Sequence, residues 1–252
     1  MNKYLQLLLS NKGLGEFKAQ PVTHDNTATV YLYDTIVNNE LEADYFGGVE
    51  PKFFAQTLAG IKADTINLRV NSPGGSVFAA RAMAQAIKEH PARVIAHVDG
   101  LAASAASFLV MAADEIVMGE GSFLMIHNAW TVSIGNAADM RREADLLDTI
   151  DESLVKTYAK RTTMPKSQIR EMMAAETWIN AEEAVQTGFA NRAVENTLQG
   201  GQPQAEAAPA ASFDLSTYDN PPDTDPMVEN ANELRKRRIA LAKRALMVRR
   251  TD

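Results

Sequence analysis

Two segments of small residues and four histidines carry the chemistry available to this chain. Asn71-Ser72-Pro73-Gly74-Gly75-Ser76 stands between a β-like run and a helical one. Its glycines can present bare backbone N–H groups at a helix start, where negative charge is favoured, so it reads as an anion or oxyanion cradle. A phosphate loop is the rival reading, but neither a Walker lysine nor a full G-x-G-x-x-G is present, and a plain strand-to-helix turn is the other alternative. The second segment is Asp99-Gly100-Leu101-Ala102-Ala103-Ser104-Ala105-Ala106-Ser107. Small neighbours leave room for a substrate backbone to reach a hydroxyl, and a serine that begins a helix has the next N–H at hand for an oxyanion. The competing reading is an N-cap serine with close helix packing. Composition alone does not separate Ser104 from Ser107.

Among the histidines, His24 lies in a polar N-terminal stretch and His90 precedes Pro91 at a helix end. His97 sits inside a strand, where a half-buried, satisfied imidazole is the ordinary case. His127 closes the apolar run Phe123-Leu124-Met125-Ile126 and is followed by Asn128-Ala129-Trp130. It therefore emerges where a strand meets a loop, the place where parallel α/β sheets put their sites. The chain has no cysteine, which excludes disulfides, thiolate metal sites and a cysteine nucleophile. Catalysis would use oxygen or nitrogen, and neither a metal nor a cofactor is expected.

The elements that must position these residues alternate along the chain. Apolar alternation predicts strands over Thr29 to Tyr33, Thr65 to Val70, Arg93 to Val98 and Phe123 to Ile126. Helical spacing predicts helices over Pro51 to Leu58, Val77 to Glu89, Ser104 to Ala113 and Ala137 to Lys160. This rhythm implies an α/β fold with a largely parallel sheet covered by helices. The last helix carries Met140, Ala144, Leu147, Ile150, Leu154 and Tyr158 on one stripe, so that face should pack on something.

Charge divides the 252 residues more sharply than their net charge of −7 suggests. Between Arg192 and Arg235 there is no Lys or Arg, while eight acids and five prolines fall there, so residues 196–233 read as a disordered acidic linker. From Arg235 to Arg250 the sign inverts, with eight basic residues interleaved with Leu241, Leu246 and Val248, and residues 234–252 read as a basic amphipathic helical tail. Without aromatic interleaving the tail is a weak sign of nucleic-acid contact, which is not expected. Residues 1–27 have no assigned role, and the run Leu5 to Leu9 is too short and interrupted for an export signal or a membrane span.

The motifs, taken together, resemble a known family, the proteolytic subunit of Clp protease, and especially the ClpP-like head maturation proteases of tailed bacteriophages. Asn71-Ser72-Pro73-Gly74-Gly75-Ser76-Val77 is similar to the family's N-S-P-G-G-x-V oxyanion segment, Gly100 to Ala106 to its G-x-A-A-S-x-A nucleophile segment, and Met125-Ile126-His127-Asn128 to its M-I-H segment. Ala181-Glu182-Glu183-Ala184-Val185-Gln186-Thr187-Gly188-Phe189 resembles the segment just after the family's catalytic acid, and Ala137 to Lys160 its handle helix, through which two rings meet. The resemblance runs from about Thr29 to Val194, inside a protease domain set at residues 28–195. It implies a ClpP/crotonase-like repeated β-β-α superhelix with a long protruding handle helix. It also implies a serine endopeptidase with Ser104 as nucleophile, His127 as base, and the N–H groups of Gly75 and Ala105 as oxyanion hole. The family's acid is an aspartate; here Glu176 is the positional match, with Thr177, Asp148 and Asp151 as weaker alternatives.

By resemblance, Glu176-Thr177-Trp178, the loose N-terminal match and the long tail favour the phage branch. The implied partners are capsid or scaffold proteins as substrates and further copies of the chain in homo-oligomeric rings, with no membrane. The implied location is cytoplasmic, in the host cytoplasm or the prohead interior. The alternatives are a housekeeping protease partnered by an ATP-driven unfoldase, or a catalytically weak assembly scaffold. Acyl-CoA chemistry on a crotonase-like fold and a Ser/Lys dyad are more distant readings.

Overall fold

A computed structural model describes residues 2–194 and 213–222. In chain order the elements are α1 (Lys3–Asn11), β1 (Glu16–Ala19), β2 (Thr27–Tyr33), α2 (Glu40–Phe46), α3 (Pro51–Ala59), β3 (Thr65–Ser72), α4 (Val77–Glu89) and β4 (Arg93–Ala103). There follow α5 (Ala105–Val110), β5 (Glu115–Gly119), β6 (Phe123–Ile126), α6 (Ala137–Tyr158), α7 (Lys166–Ala174), β7 (Thr177–Asn180), α8 (Ala181–Thr187) and β8 (Arg192–Val194). The expected strands are all present, and β3 and β4 run past their expected ends to Ser72 and Ala103. The helix expected from Ser104 to Ala113 is shorter, because β4 consumes the residues up to Ala103 and the chain turns out of helical geometry after Val110.

Pairing builds one eight-stranded sheet in the order β1-β2-β3-β4-β5-β8, with β6 on β4 and β7 on β6. The central pairs β2–β3, β3–β4 and β4–β5 are parallel, and antiparallel pairs occur at β1–β2 and β6–β7. Strand β4 decides where a site can form. Its residues Ile95–Val98 pair with β5, while Leu101–Ala103 pair with β6. A register shift on β3 between Val70 and Ser72 then sets Ser72 beside Ala102. The carboxyl ends of β3, β4 and β6 thus converge, and each leads into one of the three chemically interesting segments.

The core follows from the period-2 pattern. Ile66, Leu68 and Val70 of β3 and Val94, Ala96 and Val98 of β4 are buried alternately and join one cluster with Ala80, Met83, Ala84 and Ile87 of α4. Each fully buried Leu, Ile or Met contributes about 1.5 to 3 kcal/mol. Ser76 caps α4 by accepting the Ala79 N–H at 3.2 Å, so the cradle segment is held by the helix it opens.

Two expectations need correction. The apolar stripe of α6 packs only in its second half, where Ile150, Leu154, Val155 and Tyr158 are buried. Met140 and Leu146 remain 40% and 44% exposed, so the first half of the helix stands away from its own domain. Residues 213–220, inside the stretch read as a linker, lie on the domain rather than apart from it. Phe213 and Tyr218 are buried in a second cluster with Leu7, Leu101, Ala103 and Met125. Two large apolar side chains bury enough surface to hold a short segment despite its acidic, linker-like composition. Most of that stretch, and the whole basic tail 234–252, lie outside the described residues.

The N-terminal residues, without a role on sequence grounds, supply α1 and β1. Asn11 of α1 forms reciprocal bonds with Asp214, donating to its carbonyl at 3.0 Å and accepting its N–H at 2.7 Å. Lys3 adds an ion pair with Asp219 at 2.7 Å.

Candidate active site

Ser104 stands at the junction of β4 and α5 with φ 54 and ψ −120. A non-glycine residue in this left-handed region costs of order 1 to 3 kcal/mol and persists only where its surroundings enforce it. Here the Ser104 N–H donates to the Met125 carbonyl of β6 at 2.9 Å. Ser104 occupies the N-cap position but makes no side-chain cap bond. Its Oγ instead lies 2.6 Å from Nε2 of His127. Ser107 is separated from it by geometry: its Oγ donates to the Ser104 carbonyl at 2.7 Å, pairs with the Tyr158 hydroxyl at 2.9 Å, and is buried.

His127 follows directly on β6, whose pairing with Leu101–Ala103 of β4 sets the two side chains side by side. Burial pushes its imidazole down to about 4, with the Lys3 charge acting in the same direction and Asp219 opposing. The ring is therefore neutral at pH 7, with a lone pair available. Nε2 also receives the Trp130 indole N–H at 3.1 Å. Two donors on one ring nitrogen require it to be the acceptor, which places the imidazole proton on Nδ1.

The cradle closes the site from the β3 side. Ile36 donates to the Gly74 carbonyl and accepts the Ser76 N–H, both at 2.8 Å, so the Gly74-Gly75 backbone is clamped against it. Gly74 and Gly75 have φ 89 and 143. A Cβ on Gly75 would lie 2.0 Å from the Ile36 carbonyl oxygen, and one on Gly74 would lie 2.9 Å from Cβ of Ser104. Only glycine lets this backbone come so near the serine. Gly75, Ala105, Ser104 and His127 border a cavity of about 360 Å³ whose far wall is Leu147, Ile150 and Leu154 of α6. Asn2 and Tyr4 of the N-terminal region also line it.

Glu176 is not brought to His127. It has φ 50, and its Oε1 accepts the Asn220 N–H at 2.8 Å. The weaker alternatives lie elsewhere too. Thr177 donates to the Met172 carbonyl at 2.7 Å, and Asp151 accepts the Ala129 N–H at 2.7 Å, which fixes the loop just after His127. Asp148 borders neither Ser104 nor His127 in any described contact; its charge acts on Asp151. Two of the other histidines are structural: His90 bridges backbone groups of Leu58 and Ala92, and His97 sits beside Asn67 Oδ1 at 3.1 Å, while His24 is exposed. Trp130 and Tyr218 were missed by sequence reasoning. Trp130 carried a signal, standing three residues after His127, whereas Tyr218 carried none.

A strained serine on a strand-to-helix turn, a neutral histidine just past the neighbouring strand and a glycine cradle beside them form the arrangement that serine-hydrolase chemistry requires on an α/β sheet. The model of the family described as Clp protease matches residues 53–197, and the chain belongs to that family. It is 28% identical over 136 residues to the ATP-dependent Clp protease proteolytic subunit of Deinococcus radiodurans, covering 53% of this chain and 67% of that one. It is also 31% identical over 155 residues to the membrane protein NfeD1b of Bacillus subtilis, covering 57% of this chain and 35% of that one. A solved ClpP1 mutant from Listeria monocytogenes superposes with TM-score 0.56 at 25% identity, covering 67% of this chain and 92% of that one. The fold is therefore ClpP-like, as the motifs implied.

Proposed function

We propose that this protein is a serine endopeptidase. The observation that carries the proposal is the 2.6 Å approach of Ser104 Oγ to Nε2 of a buried, neutral His127 at the edge of a cavity bordered by Gly75 and Ala105. Ser104 Oγ attacks the peptide carbonyl carbon as its proton passes to His127, and the carbonyl oxygen becomes an oxyanion facing the N–H groups of Gly75 and Ala105. His127 returns the proton to the leaving amine nitrogen as the C–N bond breaks. Water then repeats the sequence on the Ser104 ester. No step is routed through Glu176. With no acid on Nδ1 among the described residues, orientation of the imidazole falls to its packing and to the Trp130 N–H.

For the substrate we favour capsid or scaffold proteins during phage head maturation, supported by Glu176-Thr177-Trp178 and by the long extension after residue 195. Homo-oligomeric rings are supported by the partly exposed Met140 on the first half of α6, a part of the helix that its own domain leaves largely uncovered. No helix among the described residues is long and apolar enough to cross a membrane. A second reading, a proteolytic subunit working with an ATP-driven unfoldase, is supported by the likeness to the ATP-dependent Deinococcus subunit.

Co-expression with a phage capsid or scaffold protein as candidate substrate tests both. Cleavage that is lost in Ser104→Ala and needs no ATP is expected. Degradation that occurs only with an unfoldase and ATP would favour the second reading. Failure of wild type to react at Ser104 with a fluorophosphonate would defeat the endopeptidase itself.

A further inference from the structure

We infer that residues 213–220 are part of the active site, and that Tyr218 is a positioning residue that holds His127 and the Pro73-Gly74-Gly75 cradle in register with Ser104. The inference rests on the endopeptidase reading and deepens it. Tyr218 is only 5% exposed, though it lies in a stretch whose composition reads as linker. Its ring meets His127 edge to face at 5.7 Å, and also Trp130 at 6.4 Å and Trp178 at 5.7 Å. Its hydroxyl donates to the Pro73 carbonyl at 2.5 Å. One side chain thus touches both the histidine and the segment that carries Gly75.

The segment is fastened at both ends of this contact. Asp214 is held by Asn11, Asp219 by Lys3, and Asn220 by Glu176 Oε1. This gives Glu176 a use other than a bond to the imidazole. The longer side chain reaches out to a backbone N–H of the segment and leaves the flank of His127 to an aromatic ring. The segment is not a plug, since Tyr218 is absent from the lining of the 360 Å³ cavity and the Ser104–His127 pair keeps its 2.6 Å separation with the segment in place. A ring packed on the imidazole restricts its rotation and keeps water from it, which is the orienting part of what an acid supplies in a triad.

The test is the rate at which a fluorophosphonate labels Ser104 in the full chain as a function of pH, followed by intact mass. Labelling forms the Ser104 Oγ–P bond and breaks P–F, with the serine proton passing to His127 and fluoride leaving. Tyr218→Ala is expected to slow labelling at least tenfold. It should also move the acidic limb of the profile upward toward the ordinary histidine range, because water reaches His127; the Lys3 and Asp219 charges that face the ring are unchanged, and Glu176 stays beside the segment. Tyr218→Phe keeps the ring, so it should keep the wild-type limb while slowing labelling severalfold through loss of the bond to Pro73. A general loosening of the fold would lower the labelled amount without moving the limb. If Tyr218→Ala does not fold, the rate and limb of Tyr218→Phe decide the question. Labelling of Tyr218→Phe as fast as wild type, or faster in either variant, would overturn the positioning role while leaving the endopeptidase standing. An unlabelled wild type would overturn both.

Discussion

Gly75→Ala probes the link between backbone geometry and chemistry most directly. The added Cβ would sit 2.0 Å from the Ile36 carbonyl oxygen and 2.9 Å from its carbonyl carbon, whereas ordinary contact begins near 3.4 Å. The cradle must therefore retreat by more than 1 Å. Ile36 cannot yield, because it is fully buried and its N–H and C=O are bound to Gly74 and Ser76 at 2.8 Å. Retreat breaks one or both of those bonds, at about 1 to 3 kcal/mol for each buried group left without a partner. A φ of 143 adds roughly 1 to 3 kcal/mol for any residue with a side chain. With one group stranded, the expected loss of stability is about 2 to 6 kcal/mol, and the displaced N–H should lower kcat by about 10²- to 10³-fold. Gly121→Ala is the matched control: its φ is 73, but nothing lies within 4 Å of the added Cβ, so it should show backbone strain alone and unchanged kcat. Thermal unfolding and turnover of a fluorogenic peptide measure both quantities. A folded Gly75→Ala within twofold of wild-type kcat would refute the assignment of its N–H to the oxyanion.

Other consequences are sharp enough to check. Ser107→Ala should cost about 1 to 3 kcal/mol of stability by stranding the Tyr158 hydroxyl, yet still be labelled at Ser104 by a fluorophosphonate, whereas Ser104→Ala should show no labelling. Since His127 is held down to about 4, below the ordinary 6.5, the unfolded chain binds its proton first as pH falls. Its contribution to stability is therefore present above pH 6.5 and is lost between pH 6.5 and about 4, by at most about 1.4 kcal/mol per pH unit, as denaturant titrations at several pH values would show. The acidic limb of kcat/KM should likewise fall near 4 rather than near 6.5. Leu154→Ala removes a side chain that is 4% exposed and walls the cavity, so it should destabilise by about 2 to 5 kcal/mol and shift cleavage toward bulkier side chains in a peptide library.

Much of the fold was legible because its strands and helices obey simple periods. Alternation in Ile66, Leu68 and Val70 marks a strand whichever sheet it joins, and Pro91 ends α4 by local sterics. The short strands β1, β5, β7 and β8 were not foreseen, since three to five residues without the continuous apolar run of β6 carry too little pattern to stand out.

The sequence by itself determined which atoms could react. Absence of cysteine leaves hydroxyls, the glycine pair at 74 and 75 marks a backbone that must come close to something, and His127 is marked by its place at a strand end. Composition left Ser104 and Ser107 open and only the motif resemblance singled out Ser104; the tertiary structure adds the physical reason, since Ser104 leaves β4 with a positive φ and its hydroxyl meets His127. It also decided where Glu176 and Tyr218 go. Tyr218 lies 114 positions from Ser104 in a stretch of linker-like composition, so no local pattern connects them. Burial of Phe213 and Tyr218 against Leu7, Leu101 and Met125 is a property of surfaces that exist only once the sheet has formed.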